Sequence, residues 1–192
     1  MLKKLTFISL LLLLFVSCED NKKTQSHRVA ESQSQRQRQR QTVPDFNADS
    51  AYHYVKQQLD FGPRVPGSEA HAQCVDYFID FFNAKADTVY IQDFRTRLYN
   101  GNGIDGKNII ASFNPQAKKR ILLAAHYDSR PFADHDPDEN NWNTPIDGAN
   151  DGASGVGVLM EIARLLKDNP TKAGIDIILF DLEDYGAPAY EN

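Results

Sequence analysis

DGANDGASGVGVLMEIARLLKD, residues 147–168, says more about the architecture of this 192-residue chain than any other stretch. Two aspartates and an asparagine stand among closely spaced glycines, and the pattern then becomes that of a helix over 152–168. Short apolar runs flank it, RILLAA at 120–125 and IDIILF at 175–180, and such runs are typical of strands buried on both faces. This order predicts a right-handed βαβ crossover with a parallel pair of strands.

Two helices and two strands are predicted before this unit. The helices cover ADSAYHYVKQQLDFG at 48–62 and SEAHAQCVDYFIDFFNAK at 68–85. TVYIQDF at 88–94 alternates like a strand, and NIIASF follows after the turn NGNGIDG at 100–106. In the first helix, Asp49 or Ser50 is the predicted cap, and the apolar stripe consists of Tyr52, Val55 and Leu59. In the second helix, Ser68 is the predicted cap, and the stripe consists of Cys74, Phe78, Ile79 and Phe82. The order of elements predicts an α/β fold.

Residues 1–18 are predicted to be a secretory signal peptide. A lysine-containing start precedes the apolar run ISLLLLLFV at 8–16, which is shorter than the roughly 20 residues needed to span a bilayer. The run ends at a lipobox-like Val-Ser-Cys, so we expect Cys18 to become the lipidated first residue of a protein exported to the bacterial cell envelope, in the periplasm or outer membrane. The alternative is an ordinary signal peptide cut near Ser17, with Cys18 incidental.

Charge divides the rest of the chain. Residues 19–43 carry six Lys/Arg and three Asp/Glu, and their Gln/Arg-rich sequence without apolar periodicity predicts a disordered linker. Residues 44–192 carry thirteen Lys/Arg and twenty-three Asp/Glu and are predicted to form the folded domain. An acidic domain argues against nucleic acid as a partner.

Both predicted central strands run into residues that carry chemistry. His126 and Asp128 follow RILLAA. Glu183 and Asp184 follow IDIILF, and Asp151 stands at the start of the intervening helix. Because ligands bind outside the carboxyl ends of parallel strands, we expect one imidazole and several carboxylates to share one place.

Each of these residues alone has a simpler explanation. Asp151 could cap the helix, His126 could be a hydrogen-bonded core histidine, and the carboxylates after IDIILF could be solvated. Together, however, converging like charges repel unless a cation neutralises them. Nitrogen and oxygen ligands without thiolate suit a catalytic Zn²⁺ with an open position. The combination therefore predicts a zinc site.

Three motifs, AAHYDSRP, DGANDGASGVGVLMEIAR and FDLEDYG, resemble in order and spacing the metal-site motifs of the zinc-dependent aminopeptidase superfamily. DFGPRVPGSEAHAQC, GKNIIASFNP and ADHDPDENNWNTPIDGAND are similar to the branch of bacterial glutaminyl cyclases (glutaminyl-peptide cyclotransferases) of the animal type, and the likeness covers residues 50–190. It implies a three-layer α/β sandwich with a central mixed, largely parallel sheet. It also implies an acyltransferase that uses one zinc to convert the N-terminal glutamine of peptides or proteins to pyroglutamate, releasing ammonia.

The resemblance also implies roles for individual residues. Asp151 matches the aspartate that holds the catalytic zinc, and Asp184 the next zinc-binding carboxylate, where many relatives have Glu. Glu183 matches the general acid/base. His126 matches the histidine that binds a second metal in two-metal aminopeptidases, and Asp128 the carboxylate that orients it.

Two other functions stay open, a two-metal zinc aminopeptidase and an inactive envelope lipoprotein that keeps the fold. The resemblance places a further zinc histidine downstream of Asn192, so we expect residues 44–192 to be the N-terminal portion of a domain, with the flank of IDIILF unpaired. On this expectation the 192-residue polypeptide is poorly active or inactive. The resemblance also implies a cis peptide bond between Asp151 and Gly152.

Overall fold

The computed structural model describes residues 43–191. The predicted signal peptide with Cys18, and the predicted linker up to residue 42, lie outside this range and remain predictions. Within it, we find no helix with the length and apolar character needed to cross a membrane. The main elements are helices α1 (Ala48–Leu59), α2 (Glu69–Asn83) and α3 (Ser154–Asp168), and strands β1 (Thr88–Arg97), β2 (Gly103–Phe113), β3 (Arg120–His126) and β4 (Gly174–Phe180).

The four strands form one mixed sheet in the order β1-β2-β4-β3. Strands β3 and β4 are parallel and are joined through α3, which confirms the predicted βαβ crossover. The pairs β1–β2 and β2–β4 are antiparallel. Because β4 is paired on both sides and β3 lies at the edge, the expectation of an unpaired flank for IDIILF is wrong.

The core lies on one face of this sheet. Alternate residues of β2 and β4 point into it, in register across the pair Ala111↔Ile177. They pack against the apolar sides of α2 and α3, through residues such as Phe78 and Met160. Most side chains on the opposite face, such as Leu122, are partly or largely exposed. Within the described residues, the predicted α/β fold is therefore seen as a sheet with helices covering one face.

The helix caps were predicted with mixed success. Ser68 caps α2 as predicted, its Oγ accepting the backbone amide three residues on at 3.1 Å. Helix α1 is instead capped by Asn47, whose Oδ1 accepts the amide of Ser50 at 2.9 Å, so the prediction of Asp49 or Ser50 is wrong. The buried carboxylate of Glu161 accepts the backbone amide of Asn47 at 3.0 Å and thereby fixes this helix start.

The buried side of α1 also differs from the predicted stripe. Tyr52 is 75% exposed, whereas Ala51 and Gln58 are buried. Helix α1 packs against α3 at a glycine, since a Cβ added to Gly157 would lie 2.8 Å from the carbonyl oxygen of Ala51. Such close backbone approach favours small residues, so the large tyrosine lies on the outer side.

Candidate active site

The carboxyl ends of β3 and β4 lie side by side, with His126 paired to Phe180 in the parallel register. The loops after both strands and the start of α3 meet at this rim. There, His126 Nε2 lies 3.0 Å from Asp151 Oδ1, and His126 Nδ1 lies 3.8 Å from Glu183 Oε2. The predicted convergence of three loops is therefore present.

Asp151 is carried by a kinked helical turn, Ala149–Ala153, immediately before α3. Its φ and ψ of −86° and 113° are not helical, and Gly152 follows with φ 85° and ψ −67°. The described residues contain no cis peptide bond, so the expected cis bond at Asp151–Gly152 is wrong. The positive φ of Gly152, which glycine adopts readily, makes the bend in a trans chain.

Capping of α3 does not explain Asp151. No side chain makes a capping hydrogen bond at the N-terminus of α3. Ser154 turns back instead, its hydroxyl donating to the carbonyl oxygen of Asn150 at 2.5 Å. The Asp151 side chain is 64% exposed and contacts His126, so its carboxylate is directed toward the rim.

Gly152 allows this turn to lie directly on the end of β3. A Cβ at this position would lie 2.9 Å from the carbonyl oxygen of Asp128 and 3.2 Å from Cε1 of His126. Contacts below 3.0 Å require something to move, so a larger residue would push Asp151 away from the histidine.

Asp128 is fully buried and connects the two strand ends. Its carboxylate accepts the backbone amides of Glu183 at 3.2 Å and Asp184 at 3.0 Å. It also lies 3.5 Å from His126 Nδ1, a distance typical of an ion pair with a poorly formed hydrogen bond. Asp128 therefore holds the loop after β4 in addition to facing His126.

His126 is surrounded by carboxylates. Asp128 is the main cause of a rise in the pKa of the imidazole to about 9, with smaller contributions from Glu183 and Asp151, and burial opposes the rise. With this pKa, the ring carries a proton at neutral pH in this arrangement. Its Nε2 is already hydrogen-bonded to Asp151.

Asp184 is a half-buried carboxylate of the site, with its side chain 16% exposed. Its Oδ1 lies 3.8 Å from Arg130, while within the described residues its buried Oδ2 has no hydrogen-bond partner. Burial, together with the nearby Asp151, raises the pKa of this carboxyl to about 6. A buried, unpartnered carboxylate oxygen beside other carboxylates is suited to a cation.

Glu183 differs from its neighbour in exposure. Its side chain is 62% exposed, although its backbone is held by Asp128. The carboxylate is thus available to a molecule that enters the rim from solvent.

The donor set can be compared with what a metal requires. Asp151 and Asp184 could offer carboxylate oxygens from two of the three loops, and the unpartnered Oδ2 of Asp184 fits such a role. Within residues 43–191, however, no three His, Cys, Asp or Glu side chains are arranged to hold a metal ion together.

Other buried polar residues of the region were not predicted from the sequence. Asp181, which the sequence groups with Glu183, faces the interior, where its Oδ1 lies 2.9 Å from Nε2 of His71. His71 also stacks on Tyr127, with ring centroids 5.3 Å apart. Arg64 is fully buried near the same loops. Their roles depend on contacts between residues far apart in the chain, which no local pattern indicates.

Known proteins resemble this chain in sequence and in fold. Residues 108–190 match the model of Peptidase family M28. The solved glutaminyl cyclase of Bacteroides thetaiotaomicron, bound to N-acetylhistamine, is 52% identical with a TM-score of 0.76, over 78% of this chain and 51% of that one. A Zn-dependent exopeptidase from Parabacteroides distasonis matches with the same identity, TM-score and coverage.

A curated relative is more distant. The alkaline phosphatase isozyme conversion protein of Escherichia coli is 30% identical over 141 residues, which are 69% of this chain and 41% of that protein. The chain therefore spans about half the length of the two solved structures and less than half of this relative. With the fold, these matches show that residues 108–190 are similar to Peptidase family M28 and that the chain is similar to the bacterial glutaminyl cyclases.

Proposed function

We propose that this protein is a glutaminyl-peptide cyclotransferase, an acyltransferase that converts the N-terminal glutamine of peptides or proteins to pyroglutamate and releases ammonia. The observation that carries the proposal is the meeting of Asp151, Glu183 and Asp184 at one rim. The 52% identity to a glutaminyl cyclase supports this chemistry.

The proposed cofactor is one zinc ion, held by Asp151 and by Asp184, whose buried Oδ2 has no hydrogen-bond partner within the described residues. When bound, zinc would polarise the side-chain amide carbonyl of the substrate glutamine as a Lewis acid. His126 is not needed as a ligand of a single ion, and its Nε2 is engaged with Asp151.

Glu183 is proposed to move the proton. In the reaction, the substrate's α-amine forms a bond to the side-chain amide carbon, and the bond from that carbon to the amide nitrogen breaks. The exposed Glu183 carboxylate accepts the proton from the α-amine and then donates it to the departing ammonia, so no water is consumed. Asp128, by holding the amide of Glu183, keeps this carboxylate beside the reacting atoms.

A zinc aminopeptidase is the second candidate, favoured by the equal likeness to a Zn-dependent exopeptidase. In that reaction Glu183 would activate a water molecule, and the N-terminal residue would be released. The third candidate is an envelope lipoprotein that keeps the fold without turnover.

Mass spectrometry of one peptide separates the three candidates. The protein, expressed from its native gene and supplied with Zn²⁺, is incubated with a peptide that begins with glutamine. Cyclotransferase activity releases ammonia and leaves every residue in the product, whereas aminopeptidase activity shortens the peptide. If the protein binds zinc but the peptide changes no faster than by its spontaneous cyclisation, the result supports the lipoprotein without turnover.

Two controls make the result specific. An N-acetylated form of the same peptide has no free α-amine and should stay unchanged in a cyclotransferase assay. A Glu183→Gln variant measures what the folded protein does without its proposed proton carrier. If the wild-type protein shortens the peptide and Glu183→Gln does not, the cyclotransferase proposal is contradicted.

We also propose that the protein is exported and anchored in the bacterial envelope by lipid on Cys18, where its partners are peptide or protein substrates. The lipobox-like end of the apolar run supports the anchor, and the acidic domain argues against nucleic acid. Labelling of cells with a radioactive fatty acid tests the anchor, with Cys18→Ser as the control. Label retained in Cys18→Ser would contradict it.

A further inference from the structure

Arg64 is the largest fully buried side chain among the described residues, and the mechanism above does not use it. Its guanidinium donates three hydrogen bonds to backbone carbonyls: from Nε to Tyr127 at 3.0 Å, from Nη1 to Asp147 at 2.9 Å and from Nη2 to Gly148 at 3.0 Å. Tyr127 directly follows β3. Asp147 and Gly148 lead into the turn that carries Asp151. One side chain thus joins two of the three loops of the site.

The backbone of Arg64 contributes a fourth contact. Its carbonyl oxygen accepts the amide of Ser129 at 3.2 Å. Residue 64 is therefore hydrogen-bonded to the segment after β3 through both its main chain and its side chain. These two contacts fix residue 64 to the end of β3, and from there the side chain extends to Gly148.

Gly148 is shaped to receive the guanidinium. Its φ of 61° and ψ of 39° lie in the left-handed region, which glycine adopts readily, and its carbonyl oxygen also accepts the amide of Ala153 at 3.1 Å. A Cβ at this position would lie 2.9 Å from Nη2 of Arg64 and 2.8 Å from the carbonyl oxygen of Asp151. The turn that presents Asp151 is thus in direct contact with the buried cation.

The burial of this cation is costly. Within residues 43–191 no carboxylate forms a salt bridge with Arg64, and burial lowers the pKa of its guanidinium. The three carbonyl oxygens compensate part of the lost hydration, and the charges of Asp128 and Asp147 oppose the fall in the pKa. A guanidinium can serve three carbonyls at once because its donors form a rigid planar fork, which the single ammonium of lysine cannot reproduce.

We propose that Arg64 is a positioning residue that fixes the location of Asp151 relative to His126 by tying the carbonyls of Asp147 and Gly148 to the end of β3. Its importance for turnover rests on the proposed function. The anchoring itself does not, and it is tested separately.

Amide hydrogen exchange of the chain measures the anchoring. The amide of Ala153 donates to Gly148, the same carbonyl that Arg64 reaches, at 3.1 Å. In Arg64→Met, exchange at Ala153 should be faster by roughly tenfold or more relative to the core amides, because a charge-assisted hydrogen bond is lost. Arg164→Met is the matched control, since Arg164 lies in α3 and pairs with Glu161 away from the rim. It should affect Ala153 no more than the core.

Arg64→Lys guards against a variant that fails to fold, because it keeps the charge and the length. It should still show faster exchange at Ala153. In Arg64→Ala, millimolar guanidinium chloride should restore protection, whereas ammonium chloride at the same concentration should not. Wild-type protection in Arg64→Lys, or equal changes at Ala153 in Arg64→Met and Arg164→Met, would overturn the proposal.

Zinc affinity and kinetics then connect the anchor to the site. In protein from the native gene, Arg64→Lys should lower the affinity for zinc, measured by competition with a chromophoric chelator. It should also lower kcat with little change in KM. If the wild type shows no cyclotransferase activity while Ala153 still depends on Arg64, the proposed function fails and the anchor stands. If Arg64→Lys has full cyclotransferase activity and wild-type amide exchange at Ala153, the role of Arg64 as a positioning residue is wrong and the proposed function stands.

Discussion

The buried carboxylate of Asp128 accepts the backbone amide of Glu183 at 3.2 Å, across the two parallel strands that end at the site. Its other oxygen accepts the amide of Asp184 at 3.0 Å. An aspartate after β3 therefore fixes the backbone that presents both carboxylates after β4. The resemblance implied that Asp128 orients His126, and this longer contact of 3.5 Å is one part of a wider role.

Asp128→Asn should destabilise the protein by about 2–3 kcal/mol, because each carboxylate oxygen accepts a different amide and the NH₂ group that replaces one of them would face a donor. Urea denaturation measures the change in the free energy of unfolding. The control is Asp105→Asn, since Asp105 is 75% exposed and pairs with Arg95, and it should cost less than about 1 kcal/mol. Equal effects in the two variants would show that the buried amide contacts contribute little.

Glu183→Gln should remove turnover while keeping the fold. The side chain is exposed, so the free energy of unfolding should change by less than about 0.5 kcal/mol. Loss of the proton carrier should lower kcat by about 10²–10⁴-fold. Ammonia release by protein from the native gene measures this, and a variant with wild-type kcat would exclude Glu183 as the acid/base.

Gly152→Ala should disturb the site more than an equivalent change elsewhere. Both Gly152 and Gly62 have positive φ, but only a Cβ at Gly152 would meet Asp128 and His126. Gly62→Ala should therefore cost about 1–2 kcal/mol for backbone conformation alone, and Gly152→Ala should cost more and also weaken zinc binding. Denaturation and chelator competition measure the two effects. Identical results for both variants would contradict the close packing described for the turn.

Acid should weaken the fold through Glu161. Its hydrogen bonds to Arg164, with a further bond from the amide of Asn47, hold the pKa of this buried carboxyl below its ordinary value of 4.5, although burial opposes the shift. As the pH falls, the unfolded chain takes up the proton first, so the stability from Glu161 is complete above about pH 4.5 and is lost as the pH drops through the lower folded-state pKa.

Glu161→Gln should accordingly flatten the pH dependence of the free energy of unfolding in the acid range. Urea denaturation at pH values from about 6 to about 3 measures the slope. Asp105→Asn again provides the control, because its partner Arg95 and the pair itself are exposed. A slope that is unchanged in Glu161→Gln would show that other carboxyls dominate acid unfolding.

The sequence predicted the elements that follow from local periodicity. The crossover from RILLAA through α3 to IDIILF, and the cap at Ser68, agree with the structure. Convergence of His126, Asp151 and the loop after β4 could also be predicted, because parallel strands place their ends at one edge.

Long-range packing limited the rest. Tyr52 lies outside because Gly157 brings α1 and α3 too close for a large side chain, and this contact spans distant parts of the chain. The hairpin is longer than predicted, since β2 already begins at Gly103 within the predicted turn and pairs with Arg97. Arg64 could not be identified because the three carbonyls that it binds are more than sixty residues away from it in the sequence.

Anomalous diffraction at the zinc absorption edge, from crystals of zinc-loaded protein expressed from its native gene, tests the central claim most directly. We expect one strong peak in contact with the carboxylates of Asp151 and Asp184, with His126 outside its coordination. A peak held by His126 and a second metal would support the two-metal peptidase. The absence of any peak beside Asp151 and Asp184 would contradict the proposed site.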